Sequence, residues 1–342
     1  MINIERQLIY PVALLLSTSP RKTCEAMAVI ANVSGDKLCR ILKEKTVTMH
    51  DLINLAKKVL VGKKWYLIID DTLIEKIYAK VIEGACDNYD SSDGSTYRSL
   101  CSITAVLTDG KTVIPVDQEL WLSAEFAQGE YKKKWQVAHE LIAKIRAEIP
   151  MYMLIADGLY ATENMLKKCL NLGILFEMRF HSNRVIEYKE NRVAIRELND
   201  LQLKGRRHAR TKPGMWKGMK LYFTAVKRTS KNGKVTIVYQ VSNYKASAHE
   251  HSQIYGFRWG IEKFFRTAKQ HLGLNHCQAR TQIAQENHIM NVFFAYALLQ
   301  IERKKFSLKN VETALKWLKR KNYQSLSAYF KRSEQIFGGA YA

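Results

Sequence analysis

Two short apolar runs in this chain each finish in an acid: WYLIIDDT at residues 65–72 and MYMLIADG at 151–158. Apolar stretches of this length, bounded by polar residues, read as strands buried on both faces, which requires a sheet covered by helices on each side. A carboxylate at the end of such a strand sits where the sheet opens to solvent or to a ligand. That pairing of features restricts the chain to an α/β architecture before its composition is considered.

The segments around these strands fix their order. SLCSITAVL and TVIPVDQELW follow the first strand and are joined through TDGK, an Asp-Gly turn signal. YKKKWQVAHELIAKIRAEI has helical periodicity, MYMLIADG is the fourth strand, TENMLKKCLNL a helix and ILFEMRF the fifth strand. Three meandering strands, then helix, strand, helix, strand, predict a mixed sheet with flanking helices, the order of the ribonuclease-H-like fold. In that order the first and fourth strands are neighbours, so Asp70 or Asp71 lies beside Asp157. Like charges so placed raise each other's proton affinity, and a cation in the gap relieves the repulsion. Oxygen-only ligands select hard divalent ions, so Mg²⁺ or Mn²⁺ is expected, two ions in number if the chemistry is phosphodiester displacement.

Charge supplies the second constraint. Lys and Arg total 54 against 32 Asp and Glu, a net of +22, which favours a polyanionic partner. Between Arg184 and Lys234 there are 15 basic and 4 acidic residues, so 51 residues carry +11, half the total excess. This interruption is expected to be a basic β-rich insertion facing nucleic acid, with a loop-like first part containing KGRRHARTKPGMWKGMK and then a hairpin turning at Asn232-Gly233. The apolar run IYPVALLL near the start is too short to span a bilayer, which argues against a membrane partner. Six cysteines without a C-x-x-C pair read as reduced thiols of a cytoplasmic protein rather than a zinc site.

The stretch YGFRWGIEKFFRTAK, residues 255–269, sets one glutamate among cations and rings. Read as a single helix at 100° per residue, it places Tyr255, Arg258, Glu262, Arg266 and Lys269 in one stripe about 80° wide. Phe257, Ile261, Phe264, Phe265 and Leu272 fill the adjoining arc and are expected to pack on the sheet. The stripe suits phosphate binding, with Arg gripping bidentately, Lys acting as a point charge and Tyr donating a hydroxyl. The first 58 residues look helical. Within them the turn NVSGD, with Asp36 capping the second stretch, suits either a DNA-binding helix-turn-helix or a plain helical hairpin.

The spacing Tyr255-x2-Arg258-x3-Glu262-x6-Lys269 resembles the Y-R-E-K signature of bacterial insertion-sequence transposases, in particular the DDE transposases of insertion-sequence family four. The resemblance runs from about Trp65 to Lys304, with IIDDT similar to that family's first-Asp segment and IADGLY to its D-x-x-Y segment. It implies a ribonuclease-H-like core interrupted by a β-strand insertion, with Asp71, Asp157 and Glu262 as metal ligands. Asp71 is favoured over Asp70 because the family's acid directly precedes Thr, here Thr72. It also implies that Tyr255, Arg258 and Lys269 contact phosphates at the transposon end, and that Trp216 either holds a flipped base or anchors the insertion. Arg206, Arg207, Arg210 and Arg266 complete the expected DNA-binding set. The expected organisation is a helical N-terminal region (1–58), a catalytic core in two parts (59–183 and 245–304), the basic insertion (184–244) and a helical tail (305–342). The expected activity is cleavage at transposon ends and joining to target DNA by at least a dimer. The alternatives are a nuclease that never joins strands and an inactive DNA-binding repressor.

Overall fold

In the computed structural model residues 4–91, 93–230 and 232–320 are described. The chain opens with four helices: α1 (Ile4–Leu16), α2 (Cys24–Ala31), α3 (Gly35–Leu42) and α4 (Met49–Val59). The apolar run 9–16 forms the second half of α1 and is buried against α2 and α9 (Gln282–Lys305), so it is a core helix. Thr23 and Ser34 cap α2 and α3 through their hydroxyls, and Thr48 with Asp51 closes a capping box on α4. The cap of α3 is therefore Ser34, whose hydroxyl accepts from the Lys37 amide, and not Asp36, which lies in the first turn.

The sheet begins with β1 (Tyr66–Glu75), β2 (Cys86–Asp90), β3 (Ser95–Thr108) and β4 (Val113–Trp121). Helix α5 (Lys134–Glu148) leads to β5 (Met153–Ala156), and α6 (Glu163–Asn171) leads to β6 (Phe176–Phe180). Strand β1 pairs antiparallel with β3 and parallel with β5, β3 pairs antiparallel with β4, and β5 pairs parallel with β6. The central order β4-β3-β1-β5-β6 is that of a ribonuclease-H-like sheet, as the sequence order predicts. Leu67, Ile68 and Ile69 are fully buried in β1, each burial contributing about 1.5–3 kcal/mol. Strand β2 is an addition to the expected set, its residues being too polar to show an apolar pattern.

Residues 184–244 extend this sheet. Strands β7 (Val185–Tyr188), β8 (Asn191–Ala194), β9 (Ala209–Trp216), β10 (Met219–Thr229) and β11 (Val235–Ser242) join it through antiparallel pairing of β11 with β6. The expectation of a loop over the first part of the insertion is corrected by β9, whose eight residues pair with β10. Their hairpin turns on Lys217 (φ 51°) and Gly218 (φ 75°), two successive left-handed residues of the kind a two-residue hairpin needs.

The chain ends in α7 (Ala248–Gly256), α8 (Trp259–His271), α9 and α10 (Val311–Arg320). Helix α9 is buried on nearly all sides, as its apolar sequence predicts. Of the expected C-terminal tail, residues 321–342 lie outside the described residues.

Candidate active site

Parallel pairing sets Ile69 opposite Ala156, so Asp70, within β1, and Asp157, just past the end of β5, lie at the same level. Strand β1 runs on to Glu75 against β3, so the strand end expected at Asp70–Asp71 is corrected: the parallel pairing with β5 stops there and the strand does not. Side chains alternate along a strand, so Asp70 and Asp71 point to opposite faces of the sheet. Their surroundings differ accordingly.

Asp70, 15% exposed, receives the Arg258 guanidinium, with Nη1 donating to Oδ2 at 2.8 Å. The Nη2 of the same guanidinium donates to Oε1 of Glu262, one turn further along α8. Tyr255, buried at the end of α7, donates its hydroxyl to Asp157 Oδ1 at 3.3 Å. The Arg258 guanidinium also lies 5.9 Å from the Tyr255 ring centre. Asp70, Asp157, Glu262, Tyr255 and Arg258 therefore meet in one connected cluster. Burial raises the Asp70 carboxyl to about 7; Arg258 pulls it down, while Asp71 and Asp157 push it up.

Asp71 has a separate set of neighbours. Lys134 of α5 donates to its Oδ2 at 2.6 Å, the buried Tyr160 hydroxyl to its Oδ1 at 3.2 Å, and the Cys101 thiol lies 3.7 Å from Oδ2. The expectation that Asp71 joins Asp157 and Glu262 is thus at odds with the geometry, in which Asp70 occupies that position. A following Thr72 says nothing about which face of the sheet each acid takes.

The helix read as continuous from Tyr255 is also divided. Helix α7 stops at Gly256 and α8 starts at Trp259, and the intervening turn is closed by i→i+3 bonds from Phe257 to Ile254, Arg258 to Tyr255 and Gly260 to Phe257. A tightened turn of this kind stacks residues three apart, which keeps Tyr255 and Arg258 on one side. The turn rests on the β3–β4 loop. Gly110 (φ 89°) lies so close to the Phe257 ring that a Cβ there would be 2.9 Å from Cζ. Lys269 is half-buried and its ammonium is pulled down by burial, against Glu75 and Asp90, which push it up. Arg266 is exposed and lines a different cavity with Lys263 and Arg303.

Other neighbours escaped the sequence reading. Gly158 packs on His181, whose Nε2 would lie 3.0 Å from an added Cβ, so a side chain there would have to displace the His181 ring. Arg184 donates to the Ala161 and Gly158 carbonyls and covers the rings of Phe180 and Trp216 at 4.8 and 5.2 Å. Trp216 is 8% exposed and edge-packed on Phe180, the anchoring role of its two expected ones; a buried indole has no free face for a flipped base. Behind the cluster, fully buried Glu177 accepts from the Tyr244 hydroxyl at 2.8 Å and lies 2.7 Å from His251 Nδ1, tying α7 to β6. The isolated Glu in ILFEMRF was the available signal for this clamp. Arg206 and Arg207 are exposed before β9 and Arg210 is half-buried within it.

The transposase DDE domain family matches residues 63–298, well over half of the chain. The chain belongs to that family. No curated protein gives a significant match. Transposase DDE domains are DNA-recombining enzymes that generally use divalent metal ions, and the transposase match spans Asp70, Asp157, the insertion and Glu262. Among the described residues no group of three His, Cys, Asp or Glu side chains stands arranged to hold a metal, and the position between Asp70 and Glu262 is filled by the Arg258 guanidinium. The donor set nevertheless fits a hard cation. It is all carboxylate, and oxygen-only donors suit Mg²⁺ or Mn²⁺. No helix among the described residues is long and apolar enough to cross a membrane.

Proposed function

We propose that this transposase cuts DNA at the ends of its element and joins the freed 3′-hydroxyl to target DNA, in the manner of insertion-sequence family four. The observation that carries this reading is the fork of Arg258 across Asp70 and Glu262 with Tyr255 on Asp157, because it gathers three carboxylates from distant parts of the chain around one Tyr-Arg pair. Asp70, Asp157 and Glu262 would hold two Mg²⁺ or Mn²⁺ ions. When bound, such ions lower the pKa of an attacking water or hydroxyl and neutralise charge on the leaving oxygen.

The protein's own groups do the rest. Arg258 neutralises the buried carboxylates when DNA is absent, and a DNA phosphate offers it an alternative bidentate partner. Tyr255 fixes the Asp157 carboxylate from α7, and Lys269 supplies a further cation on α8. Lys134 and Tyr160 hold Asp71 on the opposite face, where it supports β1 without reaching Glu262. Arg206, Arg207 and Arg210 hold the DNA backbone and position it without reading bases. Two ends cut in concert imply a dimer or larger assembly on DNA. Helices α2 and α3 serve as the candidate reader of the element ends, and the cytoplasm, with its nucleoid DNA, is the place of action.

Mn²⁺-dependent cleavage of an element-end duplex tests the assignment. Asp70→Asn and Glu262→Gln are expected to reduce cleavage at least a hundredfold while binding to the end stays within severalfold. Asp71→Asn is expected to retain most activity. Loss of cleavage in Asp71→Asn with retention in Asp70→Asn would reverse the choice of first acid, and retained cleavage in Glu262→Gln would remove Glu262 from the site.

A further inference from the structure

A cavity of about 360 Å³ lies on the side of α8 away from the insertion, between the β3–β4 loop, the α7–α8 turn and the start of α10. Lys111, Lys263, Arg266, Arg303 and Lys309 line it, with Glu312 as the one carboxylate among the described lining residues. Glu312 accepts from the Thr267 hydroxyl at 2.7 Å and faces no cation at ion-pair distance. Arg303 is held by Gln300 and the Thr112 hydroxyl. Lys111, Lys263, Arg266 and Lys309 are exposed, and no ion pair with a carboxylate is seen for them among the described residues. Asp109, next to Lys111, is occupied by the amides of Val61, Lys111 and Thr112. Glu312, whose carboxyl is pushed up by burial but pulled below its ordinary value by the Thr267 hydroxyl and in part by Arg266, offsets only a fraction of this charge, and cations of this density repel one another unless an anion joins them.

The position of this surface decides what the anion is. Trp259, 60% exposed, lines it and directly follows Arg258, so the surface borders the turn that carries Arg258 and adjoins the β3–β4 side of the sheet. The +11 insertion belongs to the opposite end, beyond β6. A strand-joining reaction needs two duplexes at one set of carboxylates, and each brings a phosphate backbone of its own. We infer that the Lys111–Lys263–Lys309 surface binds a second DNA duplex by its backbone, the target, while the insertion holds the first. This rests on the joining reaction proposed above only for the name of that duplex; the binding surface itself stands on the charge and the placement.

The test uses the purified full chain and a fluorescent 20-base-pair duplex of arbitrary sequence at low salt, read by anisotropy and by stoichiometric titration. Wild type is expected to take up two duplexes per chain. Lys111→Glu with Lys309→Glu, both on exposed loops, is expected to remove one of them, lowering that affinity at least tenfold with an unchanged melting temperature. Arg206→Glu with Arg207→Glu is expected to remove the other. Lys111→Gln with Lys309→Gln gives the same direction with a smaller loss, and replaces the reversal pair if that fails to fold. Binding of one duplex by wild type, or unaltered affinity and stoichiometry in the loop variants, overturns the proposal. Metal-dependent cleavage by wild type is measured beside it: a chain that binds two duplexes and never cuts would overturn the enzymatic reading and leave this surface standing.

Discussion

Asp70 and Asp71 are adjacent and chemically identical, so no rule confined to the sequence separates them; what separates them is the pleat. The residue level with Asp157 across β1 and β5 shares its face, and Asp70 is that residue. That an acid of the first run would lie level with Asp157 was legible, since both apolar runs reach an Asp, although β1 runs on to Glu75 and does not end there. The choice between neighbours needed the register. Asp70 also yields a pH prediction. Its folded value of about 7 lies above the ordinary 3.8, so between those values the folded protein holds a proton that the unfolded chain has released. The associated stability is complete below about pH 4 and is lost as pH rises through 7. With metal chelated, Asp70→Asn should lack this loss, so its melting temperature should gain a few degrees relative to wild type between pH 5 and pH 8. Parallel curves for the two proteins would show that the Asp70 carboxyl is not perturbed.

At the level of elements, periodicity was a good guide where one side of a segment faces water or where burial is complete, as in β1, β5 and α9. It failed in two places for identifiable reasons. In β9 the run Arg210-Thr-Lys-Pro-Gly shows no apolar alternation, and apolar residues return only at Met215 and Trp216, so the strand shows in its pairing with β10 and β7 rather than in its pattern. In the 255–271 segment the helical spacing of polar and apolar residues runs on without a Pro or a capping residue, and the break at Phe257–Arg258 follows Gly256, where the Phe257 ring seats on Gly110. The same region explains a glycine that the sequence did not flag. A Cβ on Gly260 would stand 2.4 Å from Val113 Cγ2, at the start of β4. Gly260→Ala should therefore force α8 away from the sheet, costing about 1–3 kcal/mol and misplacing Glu262 two residues later. Val113→Ala should recover most of that in the double variant. Thermal melting of the two single variants and the double one checks this, and a Gly260→Ala protein as stable as wild type would show that α8 has room to spare.

For the whole molecule, the insertion's composition was legible and its attachment was not. A net charge of +11 in 51 residues is evident wherever the segment sits, but only the β6–β11 pairing shows that it continues the sheet carrying Asp70 and Asp157. Clamping by Trp216 and Arg184 against Phe180 and the 158–161 backbone makes that continuation stiff next to Asp70 and Asp157. DNA bound by the insertion, as proposed above, would then be held at a fixed distance from the carboxylates, as an in-line displacement requires. Charge and stiffness have separable consequences. Arg206→Glu with Arg207→Glu should weaken binding to unrelated duplexes alike and reduce the slope of log K against log salt by about 2, because each phosphate left without its cation takes about 0.9 from that slope. Trp216→Ala should leave the slope unchanged, since every cation remains, and yet lower cleavage by loosening the insertion from the core. Salt titrations of both proteins on two unrelated duplexes measure the first effect, and cleavage at saturating DNA measures the second. An unaltered slope after charge reversal would turn the insertion away from DNA, and full cleavage by Trp216→Ala would mean that β6–β11 pairing alone fixes its position.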